Sequence, residues 1–577
     1  MHRIVLFAAA LAILPQAETA AAATAVTSHP SPSPERQIDA LFANWNRPDT
    51  PGAVVEVIRD GKVLFTKSYG MADIERRMPM SPATEFFIGS MSKQFTAFAI
   101  HLLAQAGKLS LDDDIHKYLP EVPDFGKTIT IRHLLHHTSG LRDYLSMVEM
   151  AGLRIDDVIT EDMALALVKR QRALNFDPGQ EWDYCNTGYM LLAQIVKRVS
   201  GKPLPEFARE RIFEPLGMKH TLFQHGYGNL VSGRASSYQP ADGGGYRYVS
   251  VDISTVGDGG VLTTAGDLAL WDRNFYDGRV GGMDVVRQMQ ATGVFNDGKP
   301  NDYASGLFVY TYRGLRLVEH SGMISGYGAL LSRFPDQHLS VVVLANASDV
   351  NIYEAVRRIA DMYLDNVPGA EPAAPAVPAK VFKEIALDPA QLDALVGYYA
   401  LSPQAGIVFT KEDGRLMAMG VGQPRIRAFA YGKRDFFARA TDAQFTFDAP
   451  GKDGVVAGGV LHRGGRDLPA KRGPRPIPRG DELKRLEGEF YSDELHVLYT
   501  VDGKDGDVVL TYPGGTVVLG FNGAGPYETG FGTIQYQCNA QDGCTGFTLG
   551  TARARNLKFT RVDLAAKPVT AAGSGRP

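Results

Sequence analysis

Cysteine is nearly missing: the 577-residue chain has three. That excludes a disulfide-built scaffold. Cys538 and Cys544 flank the turn-rich residues 539–543 and, in an oxidising compartment, can close a hairpin. Cys185 reads as a small buried filler. An excess of either charge is missing too. Sixty Lys and Arg face 64 Asp and Glu, a net charge of −4, which gives no electrostatic footprint for nucleic acid. After the N-terminus no run is long and apolar enough to span a bilayer, so no stable membrane insertion is expected. Nucleotide, flavin and metal motifs are absent, and no cofactor is implied.

What is present begins with an export signal. His2 and Arg3 precede an apolar segment at 4–14, and small residues at 20–23 suit cleavage. Residues 1–23 are expected to be a signal peptide, and the mature chain to be exported, to the periplasm if the source has two membranes. With 44% hydrophobic residues the remainder is long enough for several globular domains.

Residues 53–58 and 63–69 alternate around Asp60-Gly61 and predict a β-hairpin. From Ser90 a helix is expected, with Phe95, Phe98, Ala99, Leu102 and Leu103 on its buried face and Gly107 at its end. A second helix is expected over 187–199, stopped by Gly201 and Pro203. Strands at 327–334 and 339–345 and a helix at 353–364 close the region. Strands at both ends with helices between predict one sheet whose first and last strands pair.

Pro368, Pro372, Pro375 and Pro378 then mark an extended linker. Beyond it the pattern turns all-β. Leu392, Leu395, Gly397 and Tyr399 are echoed by Leu483, Leu486, Gly488 and Phe490, which predicts two copies of a small antiparallel barrel. The expected division is a catalytic region at 34–366, a linker at 367–386, and barrels at 387–472 and 481–565.

Ser90-Met91-Ser92-Lys93 carries the chemistry. A serine and a lysine three residues apart share one helix face, and a serine hydroxyl needs a neighbouring base to attack. Tyr184-Cys185-Asn186 and His320-Ser321-Gly322 follow in order. Together these resemble the S-x-x-K, Y-x-N and K-T-G/H-x-G elements of the serine β-lactamase and penicillin-binding protein family, in the branch of AmpC-like β-lactamases, D-Ala-D-Ala carboxypeptidases, D-aminopeptidases and related esterases. The resemblance covers about 38–364 and includes the segments 134–141 and 259–268.

The resemblance implies an α+β catalytic domain followed by two lipocalin-like barrels. It implies Ser90 as nucleophile, Lys93 and Tyr184 sharing the proton transfer, and the backbone N–H groups of Ser90 and Met323 as oxyanion donors. Asn186, His320 and Gly322 would contact substrate, and Asn186 would also orient Lys93. A cation beside Tyr184 would favour its phenolate. His320 departs from the lysine of β-lactamases, so carboxylate recognition is expected to be weaker or to vary with pH as imidazole titrates. His133, His136 and His137 read as structural. The expected substrate is a small peptide containing D-amino acids, or a peptidoglycan fragment. The alternatives are a carboxylic ester, or a ligand-binding protein with an inert catalytic domain. The tip at 538–544 is either an ordinary bridged surface hairpin or a loop that reaches the cleft, with Asp542 meeting a substrate amine.

Overall fold

The computed structural model describes residues 33–563 except 155–156, 225–229, 242–243, 252–253, 366, 374–381, 403–404, 421–424, 439–442, 464–465, 477–479, 505–506, 522–525 and 540–542. The export signal therefore lies outside the described residues, as does the centre of the linker. Among the described residues no helix is long and apolar enough to cross a membrane.

Six strands build the sheet behind the site: β1 (Ala53–Arg59), β2 (Lys62–Tyr69), β3 (Phe308–Tyr312), β4 (Leu315–Ile324), β5 (Tyr327–Phe334) and β6 (Leu339–Ala345). Their order is β3-β4-β5-β6-β1-β2. First and last strands pair antiparallel, from Ala53 opposite Ala345 to Arg59 opposite Leu339. β1 and β6 are mostly apolar and buried almost throughout, Glu56 and Ser340 included, because both sheet faces are covered. Val55, Val57, Val341 and Val343 face α1 (Pro34–Leu41) and α4 (Ile352–Leu364). Val54, Val342 and Leu344 point the other way, into the large core of the helical middle.

That core is centred on α2 (Lys93–Gln105) and α3 (Asn186–Ser200). Residues 93–103 of α2 are all buried. The α-helix begins at Lys93, three residues later than the sequence pattern predicts. Gly89–Ser92 instead form a tight 3₁₀ turn, entered through Gly89 at φ +49°.

The C-terminal region consists of two antiparallel sheets, of nine strands from Gly397–Ser402 to Arg466–Gly473 and eight from Gly488–Ser492 to Leu557–Val562. In each, strands adjacent in sequence are neighbours, the first pairs with the last, and one seam stays open. The echoed residues have matching jobs. Each copy has a short helix, Pro389–Asp393 or Asp481–Leu486, before its first strand. Gly397 (φ +154°) and Gly488 (φ +144°) then let an arginine of the last strand, Arg472 or Arg561, cross where a Cβ would stand. Tyr399 and Phe490 fill the two interiors at 0% exposure. The first barrel has its own apolar cluster. The second shares one continuous cluster with the helical middle of the catalytic domain.

Candidate active site

Three elements converge on Ser90. The 3₁₀ turn presents it in a cleft of about 600 Å³. One turn on, Lys93 Nζ donates to Ser90 Oγ at 3.2 Å, Asn186 Oδ1 at 2.9 Å and the Asp258 carbonyl at 2.7 Å. Lys93 is fully buried, so an ammonium there needs three acceptors, and it has three. Asn186 is held in turn by Asp143. One Asp143 oxygen accepts the Asn186 N–H at 2.5 Å, and the other accepts the N–H groups of Leu145 and Ser146. Burial pushes the Asp143 carboxyl up, and the Asn186 N–H opposes that push.

The Tyr184 ring lies 4.8 Å from Lys93 Nζ, and its hydroxyl is shielded from water without a partner among the described residues. An orphaned buried hydroxyl is costly; at the edge of a cleft it is available to a reacting atom. Arg553, from the loop joining the last two strands of the second barrel, stands 5.0 Å from the same ring. Rings of Trp182, Tyr303 and His137 pack around Tyr184.

The third element is β4. A Cβ on Gly322 would stand 1.8 Å from the Ile88 carbonyl and 2.9 Å from Met91 N, so only glycine lets this strand lie against the Ser90 turn. The β4–β5 hairpin closes with Ile324 opposite Tyr327 through a two-residue loop. In a hairpin with a two-residue loop the closing pair exchanges the ladder hydrogen bonds, so alternation turns the Met323 N–H away from β5. A Cβ on Gly89 would lie 3.0 Å from Met323 N. The Met323 amide thus borders the Ser90 turn, where a carbonyl oxygen between the two N–H groups would sit.

His320 lines the cleft but does not behave as its sequence position predicts. Nδ1 lies 2.6 Å from the Ser321 carbonyl and Nε2 lies 2.9 Å from the Tyr303 hydroxyl. Nδ1 therefore carries the proton and Nε2 accepts. Burial, reinforced by the Lys93 charge, drives its pKa down to about 3. This neutral imidazole has no donor left for a carboxylate, and it does not titrate near neutrality. The expected pH-dependent carboxylate grip is corrected accordingly: desolvation overrides the residue's ordinary pKa.

The histidines at 133–137 point apart. His133 Nδ1 accepts from Thr130 N, His136 Nδ1 faces the Tyr303 carbonyl, and His137 Nδ1 accepts from Cys185 N. Cys185 is buried and unbridged, its thiol pushed up by burial. Cys538 and Cys544 are joined as a disulfide. Asp542 lies outside the described residues. The described part of that hairpin is not among the cleft-lining residues, and its Asn539 carbonyl takes a bond from Arg485 of the same barrel. The barrel segment that lines the cleft is the loop at 551–556, through Arg553.

That loop is fastened firmly. The Arg553 carbonyl accepts from Asp143 N at 2.9 Å and from Asn175 Nδ2 at 3.0 Å. Arg555 pairs with Glu181 at 2.9 Å. Arg142 is buried, bonds the Arg555 carbonyl and pairs with buried Glu494 of the second barrel. Asp143, Asp258, Tyr303 and Arg553 all escaped the sequence reading. Asp143 and Asp258 carried a signal by position, Asp143 lying two residues after the segment 134–141 and Asp258 immediately before 259–268.

Residues 35–366 match a family model described as Beta-lactamase. The chain is 29% identical over 432 residues to "Penicillin-binding protein 4*" of Bacillus subtilis, covering 71% of this chain and 93% of that one. It is 26% identical over 509 residues to a "D-aminopeptidase" of Cereibacter sphaeroides, covering 86% and 88%. Among solved structures, the octameric penicillin-binding protein homologue from Pyrococcus abyssi superposes with a TM-score of 0.52 at 22% identity, over 84% of this chain and 99% of that one. This last likeness concerns the fold.

Proposed function

From the premise that this chain belongs to the beta-lactamase family, we propose that it is an exported serine hydrolase cleaving small D-amino-acid peptides or peptidoglycan fragments through an acyl-enzyme on Ser90. One observation carries the reading. Lys93 Nζ bridges Ser90 Oγ and Asn186 Oδ1 on the floor of an open cleft, beside an unpartnered Tyr184 hydroxyl. A nucleophile, a proton path and an oxyanion position thus share one place.

Ser90 Oγ attacks the substrate carbonyl while its proton moves to whichever member of the Lys93–Tyr184 pair is deprotonated, the phenolate of Tyr184 beside the Lys93 ammonium or the neutral amine of Lys93. The oxygen of the tetrahedral adduct takes the N–H groups of Ser90 and Met323. As the C–N bond breaks, the proton goes to the leaving amine, leaving an ester on Ser90. Water adds by the reverse route, and the acid product leaves with Ser90 Oγ protonated again. Asn186 Nδ2 is left to hold the substrate amide, since its Oδ1 is committed to Lys93.

The preference for D-residues rests on the names of the relatives. It is tested with matched D- and L-alanyl amides and dipeptides. The expected result is faster turnover of the D series, reduced at least about 10³-fold by Ser90→Ala. A preference for the L series, or full activity in Ser90→Ala, overturns the reading.

A further inference from the structure

Among the described residues two charged side chains line the cleft, and they differ sharply. Asp258 is buried, its Oδ2 accepts from Tyr144 at 2.9 Å, and burial pushes its carboxyl toward the neutral form. Arg553 is exposed, and among the described residues its guanidinium has no ion pair or hydrogen bond. Its neighbour Arg555 pairs with Glu181 at 2.9 Å and Asp183 at 3.9 Å, whereas the Arg553 charge favours the ionised forms of Asp183 and Asp143 without forming an ion pair with either. Meanwhile the imidazole at position 320 is neutral, with both ring nitrogens engaged. Lys93, the other cation near Ser90, has spent its three donors on Ser90, Asn186 and Asp258.

Arg553 is therefore the free positive charge of the cleft among the described residues, and its backbone is pinned by Asp143 and Asn175. It stands over Tyr184. Building on the proposed acyl transfer, the group that returns a proton must lie within hydrogen-bond reach of the leaving nitrogen. The leaving portion then occupies the Tyr184 side of the cleft, next to Arg553.

We propose that Arg553 of the second barrel is a specificity-determining residue that binds a free carboxylate on the leaving portion of the substrate. The cation that strand β4 lacks at His320 is supplied from the other side of the cleft by a different domain. Cleavage is directed to C-terminal residues bearing a free acid, and among the described residues the one carboxylate lining the cleft, Asp258, is buried and bonded to Tyr144. A guanidinium offers a carboxylate two parallel N–H bonds, which lysine cannot reproduce.

Binding tests this apart from turnover. In the Ser90→Ala protein, N-acetyl-D-Ala-D-Ala, its C-terminal amide, and D-Ala-D-Ala amide with a free amine are titrated by calorimetry. The acid is expected to bind at least about tenfold tighter than either amide, as a charge-assisted contact provides. Adding Arg553→Gln should bring acid and capped amide level, and adding Arg553→Lys should restore part of the difference. A merely structural role would weaken both ligands alike. Equal binding of acid and amide, tighter binding of the free amine, or binding of none overturns the assignment. Full turnover in the Ser90→Ala protein, or none in the wild type, with the binding preference intact would count against the acyl-enzyme reading and leave this one standing.

Discussion

His320 shows how far burial can move a single residue's chemistry. Its imidazole is held neutral with a pKa near 3, first by desolvation and then by the Lys93 charge. Activity between pH 5 and 8 should therefore show no inflection belonging to it. His320→Gln keeps an acceptor for the Tyr303 hydroxyl, and its kcat/KM profile should have the wild-type shape; a shifted inflection contradicts this. The same residue links stability to pH. Its folded pKa lies below the unfolded value of about 6.5. The unfolded chain thus binds more protons in acid, and the contribution, complete above pH 6.5, is lost as pH falls toward 3. In urea melts between pH 6.5 and 4, wild type should lose stability more steeply than His320→Gln. Parallel slopes would show that position 320 does not titrate on unfolding.

At the scale of elements, the two motifs that hold Ser90 were legible because they are local. S-x-x-K needs only one helical turn, and the near-continuous apolar runs of β1 and β6 follow from two-sided burial. The 3₁₀ turn was not legible. It depends on Gly89 at positive φ and on the close approach of β4, which a linear pattern does not encode. Gly322 makes that approach possible. Gly322→Ala would put a Cβ 1.8 Å from the Ile88 carbonyl, so strand and turn must separate. We expect kcat to fall about 100-fold or more, the loss typical of a displaced oxyanion donor. Circular dichroism should still report a folded protein. Wild-type kcat in a folded Gly322→Ala protein would show that the contact does not set the site.

For the whole molecule, the echo of Leu-Leu-Gly-aromatic motifs announced two barrels but not their different roles. Docking is decided by long-range partners such as Arg142 with Glu494, which no local pattern connects. The second barrel completes the cleft wall, while the first keeps a separate core. The Arg142–Glu494 pair is buried on both sides, at 1% and 5% side-chain exposure. Removing one partner leaves a buried charge uncompensated, at a cost of about 3–5 kcal/mol. Glu494→Gln should lower stability by that order. It should also loosen the loop at 551–556, reducing turnover through Asp143 and Asn186. A variant with unchanged melting and unchanged kcat would show that docking is not carried by this pair.

The account as a whole turns on Ser90 as the covalent nucleophile. The most direct measurement is the intact mass of the protein after brief exposure to a fluorophosphonate, followed by peptide mapping. The account predicts one added phosphonyl group, carried on Ser90 and absent in Ser90→Ala, with Lys93→Ala slowing its appearance by orders of magnitude. Labelling at another residue, or equal labelling of the Ser90→Ala protein, would contradict it.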